Sequence, residues 1–449
     1  MYKFTNSLPC SYISHKMKPT DVIIIGAGAA GLMAAYTLAK AGKTATVLEA
    51  RNRLGGRIHT IKNERLGNIE LGAEFVHGDL PVTLALLKEA GISTTVVGFE
   101  MWQHHRGAFT QSDEFIENFD IFLEMLNGLE HDVPMHDFLE RHFAGDKYAK
   151  MRGQIEQYVS GYDTANVADV SAFALRKEYN NEDEDAQHRI DGGYVAMIDY
   201  LADTCRNAGN EIFLNNVARE IIWGKNNVNV ITADGTTYNA DKLIIALPLG
   251  VLQAPENAEG ALQFNPPLPE QVSALKNIGF GWVIKILLEF DDVFWENDVV
   301  KKQTGADLST MGFLFSDEII PTYWTQSPAH SPLLTGWVGG PPALEMKDLT
   351  NEEILMDALI SVSNIFSVSI DMLKQKLLNW HVVNWTDEPF AYGSYAYDKV
   401  ESPQAKMLLQ LAVDDTIYFA GEYLYEGPAM GTVEAALVSG KNAAEMVLK

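Results

Sequence analysis

The chain has 449 residues, 47% hydrophobic and 21% charged, which describes a folded globular protein with more chain than one core normally encloses, so two domains are expected. Its 34 basic against 60 acidic residues leave a net charge of −26, which opposes nucleic acid and anionic membrane surfaces as partners and either concentrates cationic ligands or serves solubility alone. Residues 1–20 lack the apolar core of a secretory signal and read as a disordered leader, no apolar run approaches the ~20 residues of a membrane span, and Cys10 and Cys205 are too few for a disulfide framework or a metal site, so a metal-free cytoplasmic protein is expected.

The first predicted element is a short buried strand over residues 21–25, DVIII, which stops at the glycine-rich GAGAAG of residues 26–31. Good helix formers follow over 32–41 and end at Gly42; residues 44–48 read as a second strand with Glu49 at its end. Strand, glycine turn, helix, strand and acid, in that order, form a dinucleotide-binding unit. Gly26 permits the tight turn, Gly28 lets backbone approach a pyrophosphate, and Gly31 lets the helix pack close to the sheet. The helix N-terminus faces the diphosphate, and Glu49, 23 residues after Gly26, accepts hydrogen bonds from a ribose diol.

Directly after Glu49 come Ala50, Arg51 and a second glycine pair with its own arginine, Gly55-Gly56-Arg57. Farther on, an amphipathic helix is expected over 194–208, strands over 215–223, 228–231 and 242–246, and an acidic solvated loop over 180–187. FNPPLPEQV, from Phe264, reads as a proline-stiffened connection opening a helix. Lys285 lies in the apolar run GFGWVIKILLEF, where a lysine is costly to bury unless paired or functional. NWTDEPFAYGSYAY, residues 384–397, gathers aromatic side chains into a loop and strand, and a strand from Thr416 precedes a turn and a helix over 431–439.

These segments together resemble the flavin-containing amine oxidase family. The resemblance rests on the two glycine clusters, on ELGAEFVHG (70–78), on GGY (192–194), on LPLGVLQ from Leu247 and on FAGEYLYEGPAMGTVEAALVSG from Phe419. It implies an α/β chain, α+β overall. A discontinuous FAD-binding Rossmann-like domain would comprise 21–92, 192–252 and 395–449, and a substrate-binding domain of mixed sheet and helices would comprise 93–191 and 253–394. The cofactor contacts it implies are Gly26, Gly28, Ala30, Gly31, Glu49, Ala50, Arg51, Gly55, Gly56 and Arg57 around the dinucleotide. Val217 would hold the adenine; Gly72, Ala73, Glu74, Phe75, Trp385 and Phe390 would flank the ring; Gly421, Glu422, Gly431, Thr432 and Val433 would complete the C-terminal side. Lys285 would hold a water against flavin N5, Tyr395 would form an aromatic wall, and His77 would orient an extended amine.

Two departures carry consequences. Ser394 stands where mammalian monoamine oxidases carry the cysteine that tethers FAD, so FAD is expected to be dissociable. Pro428 stands near where an opposing tyrosine would complete an aromatic cage, which turns the resemblance toward animal polyamine oxidases. The implied reaction is oxidation of a polyamine-like or monoamine substrate, with dioxygen regenerating the flavin and yielding hydrogen peroxide, in a monomer or homodimer. Two alternatives stay open at this level: a dehydrogenase or desaturase passing electrons to a carrier, and a catalytically idle flavoprotein. An amino-acid oxidase is disfavoured because no arginine is evident in sequence beside the 70–78 segment.

Overall fold

The computed structural model describes residues 20–98, 100–111, 116–180 and 187–449; the expected leader and most of the acidic 180–187 loop lie outside them. Two large sheets organise the chain. The first is eight-stranded. Thr20–Ile25 sits at its centre, parallel to Ala45–Leu48 on one side and to Thr237–Ile245 on the other. Ile417–Phe419 pairs in parallel with Thr237–Ile245, so the C-terminal strand returns to the N-terminal one's neighbourhood. Val22 to Ile25 and Leu243 to Ile245 are buried, as strands covered on both faces must be.

Helix Ala29–Lys40 packs on this sheet, and the C-terminal helix Val433–Val447 packs on that helix. Their crossing is close because Gly440 presents no side chain: a Cβ there would lie 2.0 Å from the Ala30 carbonyl oxygen. The C-terminal helix runs longer than the expected 431–439, and Thr432 caps it by accepting from Ala435 N at 3.3 Å. The first sheet also takes in Gln263–Asn265, past the expected boundary at 252, through parallel pairing with Ala218–Gly224.

The second sheet is seven-stranded, in the order Leu377–Asn384, Val283–Phe290, Leu333–Gly339, Thr322–Trp324, Met311–Ser316, Glu100–His105, Ala108–Gln111. All eight residues of Val283–Phe290 are buried, which explains its near-continuous apolar sequence. Helix Asn351–Phe366 covers one face of this sheet and opens with a full capping box, Thr350 with Glu353.

Candidate active site

The two glycine clusters, separate in sequence, are joined in space. Gly55 N donates to Ala27 O at 2.9 Å, and Gly28 and Gly55 form an isolated parallel bridge. Gly26 has φ +102° and a Cβ there would lie 2.5 Å from the Ala246 carbonyl oxygen, so the turn admits no side chain. A Cβ on Gly28 would meet nothing nearer than Gly55 O at 3.9 Å. Gly28 is also the N-cap of helix Ala29–Lys40, with no side-chain cap and no acid in the first turn. The helix therefore presents unpaired N–H donors to open space, which suits a phosphate. Glu49, 4% exposed, accepts from Ala27 N at 2.8 Å and Arg51 N at 2.9 Å, and so stands at the edge of the same space.

Arg57 ties three candidate segments together. Its guanidinium donates to Ser394 O and forms an ion pair with the buried Glu422 carboxylate at 2.9 Å, and its own carbonyl accepts from Ala73 N at 3.2 Å. A Cβ on Gly72 would lie 1.9 Å from that carbonyl and 3.3 Å from Trp385, whose indole N–H bonds Leu71 O at 3.0 Å. Glu422 accepts in turn from Ala396 N at 3.2 Å. Arg51 instead holds the loop at 388–390: it donates to Pro389 O at 2.7 Å and to Glu388, and sits 5.6 Å from the Phe390 ring. Phe390 is thus gathered with Arg51 and Glu49, whereas Trp385 lies with Gly72. Neighbouring Arg53 is half-buried, and desolvation together with repulsion from Arg51 lowers its guanidinium to about 10. The Val217 carbonyl already accepts from Ala233 N at 2.8 Å, and Gly421 N donates to Ser439 Oγ at 3.0 Å.

Lys285 is 1% exposed and does not reach solvent. Its ammonium donates to Gly72 O at 3.0 Å and Glu74 Oε2 at 2.8 Å. From there a run of ring contacts crosses the site. The Lys285 ammonium lies 5.4 Å from Trp324, Trp324 lies 6.0 Å from Phe75, Phe75 lies 5.9 Å from His77, and His77 lies 6.1 Å from Tyr162. The Tyr395 hydroxyl donates to the Tyr162 carbonyl and its ring packs against Gly431, where a Cβ would come within 2.8 Å. The three candidate catalytic residues therefore share one continuous wall. Burial drives the His77 imidazole down to about 4, so the ring is neutral near pH 7, and its Nδ1 has no hydrogen-bond partner among the described residues. Burial, reinforced by the Asp163 and Glu178 charges, raises the Tyr395 phenol, which stays protonated.

Sequence reasoning missed several members of this neighbourhood. Arg189 does lie beside the 70–78 segment, 3.2 Å from Glu74, correcting the expectation that no arginine stands there; the strand that carries it, Gln187–Ile190, pairs with Val76–His77 from far along the chain. Its terminal nitrogens are already committed to Glu74, Ser327 O and Thr325 O. Glu434, read only as a helix residue, is 1% exposed and caps a different helix, Pro81–Ala90, by accepting from Val82 N and Thr83 N at 2.9 and 2.6 Å. Lys406 is also buried. It pairs with Asp398 at 2.6 Å and donates to Tyr425 O at 2.9 Å, joining the strand after Tyr395 to the loop before Gly431. Lys406→Ala should lower stability by about 1–3 kcal/mol, because it leaves the half-buried Asp398 carboxylate without its partner. Urea unfolding measures the loss, and Lys406→Met combined with Asp398→Asn should recover most of it; no recovery would contradict the pairing argument.

Comparison with known proteins agrees with this geometry. The model of the flavin-containing amine oxidoreductases matches residues 29–448. Polyamine oxidase 4 of Oryza sativa subsp. japonica is 28% identical over 460 residues, covering 95% of this chain and 88% of that protein. Human lysine-specific histone demethylase 2 is 28% identical over 431 residues, and there this chain, 90% covered, spans 50% of the relative's length. Among solved structures, putrescine oxidase bound to putrescine superposes with a TM-score of 0.78 at 20% identity, covering 96% of this chain and 99% of that one. Cyclohexylamine oxidase from Brevibacterium oxydans IH-35A gives 0.76 at 19%, with the same coverage. These two share the fold, and the family match spans nearly the whole chain: this protein belongs to the flavin-containing amine oxidoreductases.

Proposed function

We propose that the chain is an FAD-dependent oxidase of polyamine-like or other small amines, with FAD held non-covalently and dioxygen as electron acceptor. The observation that carries the reading is the continuous wall from Lys285 through Trp324, Phe75, His77 and Tyr162 to Tyr395, set beside the joined glycine clusters. Held in that space, FAD would supply the two-electron chemistry of the reaction, in which the amine would lose a hydride equivalent from its α-carbon and hydrolyse as an imine while dioxygen would become hydrogen peroxide. The residues supply orientation and electrostatics. Unpaired N–H groups ahead of helix Ala29–Lys40 would hold the pyrophosphate, and Glu49 the ribose. Neutral His77 offers a free ring nitrogen to a substrate amine, and the aromatic faces attract it while it is still cationic. The acidic surface and the relatives named polyamine oxidase support a cationic, polyamine-like substrate, and a two-cysteine chain suits a cytoplasmic setting.

Ser394 cannot form a thioether, and its buried hydroxyl is already engaged 2.5 Å from the Thr164 hydroxyl. Acid precipitation should therefore leave all the yellow colour in the supernatant. Flavin fluorescence on the denatured polypeptide band would refute non-covalent binding. The acceptor is tested separately: during turnover of an accepted amine in air, peroxide should appear in a one-to-one ratio with imine-derived carbonyl product. Turnover that requires an artificial carrier and yields no peroxide would overturn the oxidase reading in favour of a carrier-linked dehydrogenase.

A further inference from the structure

We infer that Glu74 is a positioning residue, whose carboxylate keeps the buried Lys285 ammonium charged and fixed against the Gly72–Glu74 segment. The inference deepens the proposed function, since it rests on Lys285 facing the flavin.

Lys285 sits mid-strand and is buried. At its register the flanking strands offer Trp337 and Val383, neither of which carries a charge. Its ion pair is with Glu74, at 2.8 Å, and the Gly72 carbonyl and the Trp324 ring lie beside it. Glu70 is the next carboxylate, and it is occupied by Thr60 Oγ1 and Tyr194 N, each at 2.7 Å. Glu74 is itself held on both oxygens. Oε2 accepts from Lys285 and from the Trp324 indole at 3.1 Å; Oε1 accepts from Gln326 and from Arg189, each at 3.2 Å. A carboxylate with four donors around it cannot swing away, so it dictates where the ammonium points.

Buried Lys285 and Glu74, together with half-buried Arg189, form a group with two cations and one anion. Burial alone would raise the Glu74 carboxyl, but the Lys285 and Arg189 charges outweigh it and hold it ionised. Removing the anion leaves two cations flanking position 74, with the hydrogen-bonded Glu70 as the remaining nearby carboxylate. Arginine does not release its proton, so Lys285 is the group that must. A lysine deprived of its partner in such a place loses its charge near neutral pH.

The test compares four FAD-loaded proteins: the parent, Glu74→Gln, Lys285→Met and the double variant. Melting temperature is followed from about pH 6 to 9, and reoxidation by air is followed in stopped flow. In Glu74→Gln the folded state binds fewer protons than the unfolded state, where a lysine titrates near ~10.4, so stability should rise with pH. The melting curve of Glu74→Gln should therefore climb with pH relative to the double variant, which has no Lys285 to titrate. Parallel curves for those two proteins would overturn the inference. Should Glu74→Gln fail to fold, a folded double variant supports the inference and a second failure overturns it, because Glu74 would then serve the fold rather than Lys285. Reoxidation decides the underlying reading by itself: Lys285→Met at the parent's rate removes Lys285 from the flavin face, while the melting comparison still judges Glu74.

Discussion

A Gly28→Val protein is expected to fold, yet to purify without flavin and to melt early. Gly28 has φ −77° and ψ −177°, an extended conformation that β-branched valine accepts. The polypeptide leaves room as well, with nothing nearer a Cβ than 3.9 Å. Nothing in the chain alone therefore requires glycine there. The side chain would instead fill the space in front of the unpaired N–H groups of helix Ala29–Lys40, where the pyrophosphate is proposed to sit. Occupancy should fall from near stoichiometric to undetectable at micromolar FAD, and loss of the bound ligand lowers apparent stability by mass action. Gly31 gives the contrast: a Cβ there would lie 1.9 Å from the Gly26 carbonyl oxygen, so even Gly31→Ala should damage the turn itself. Visible absorbance per protein and a melting curve distinguish the two. Normal flavin content in Gly28→Val would defeat the placement of the dinucleotide.

The second large effect concerns Lys285→Met. Methionine keeps the bulk of the side chain, and Glu74 retains Arg189 as a cationic partner, so the variant should fold and load FAD. Reduction by substrate should change little, whereas reoxidation should slow by ~10-fold or more, equivalent to about 1.4 kcal/mol of transition-state stabilisation. Stopped flow separates the two half-reactions. Equal reoxidation rates in variant and parent would leave Lys285 as one half of a structural ion pair.

The dinucleotide unit was legible because each of its requirements is local. A strand, a glycine turn and a helix lie within 20 residues of one another, and each leaves a composition signal: Thr20–Ile25 and Ala29–Lys40 fall within a few residues of the expected bounds. The buried strand around Lys285 was legible for the same reason. What escaped notice depends on contacts between distant segments. Arg189 reaches Glu74 only because strand Gln187–Ile190 pairs with Val76–His77. Trp324 and Tyr162 join the wall from elements that carry no motif of their own. Lys406 occupies helix Ser402–Leu409, where its spacing looks like that of any surface lysine, and burial comes from the loop that folds over it. Glu434 had a weaker signal available: helix Pro81–Ala90 begins at Leu80-Pro81 with no capping side chain at the N-cap, and such a start leaves N–H groups that take an acceptor from elsewhere.

An anaerobic titration of the FAD-loaded protein with a panel of diamines, polyamines and monoamines tests the amine oxidase reading itself. At least one polyamine-like amine should bleach the flavin absorbance completely, with one equivalent of substrate consumed per flavin, and admitting air should restore the oxidised spectrum with one equivalent of hydrogen peroxide. A protein that holds FAD and stays yellow with every amine in the panel would contradict it.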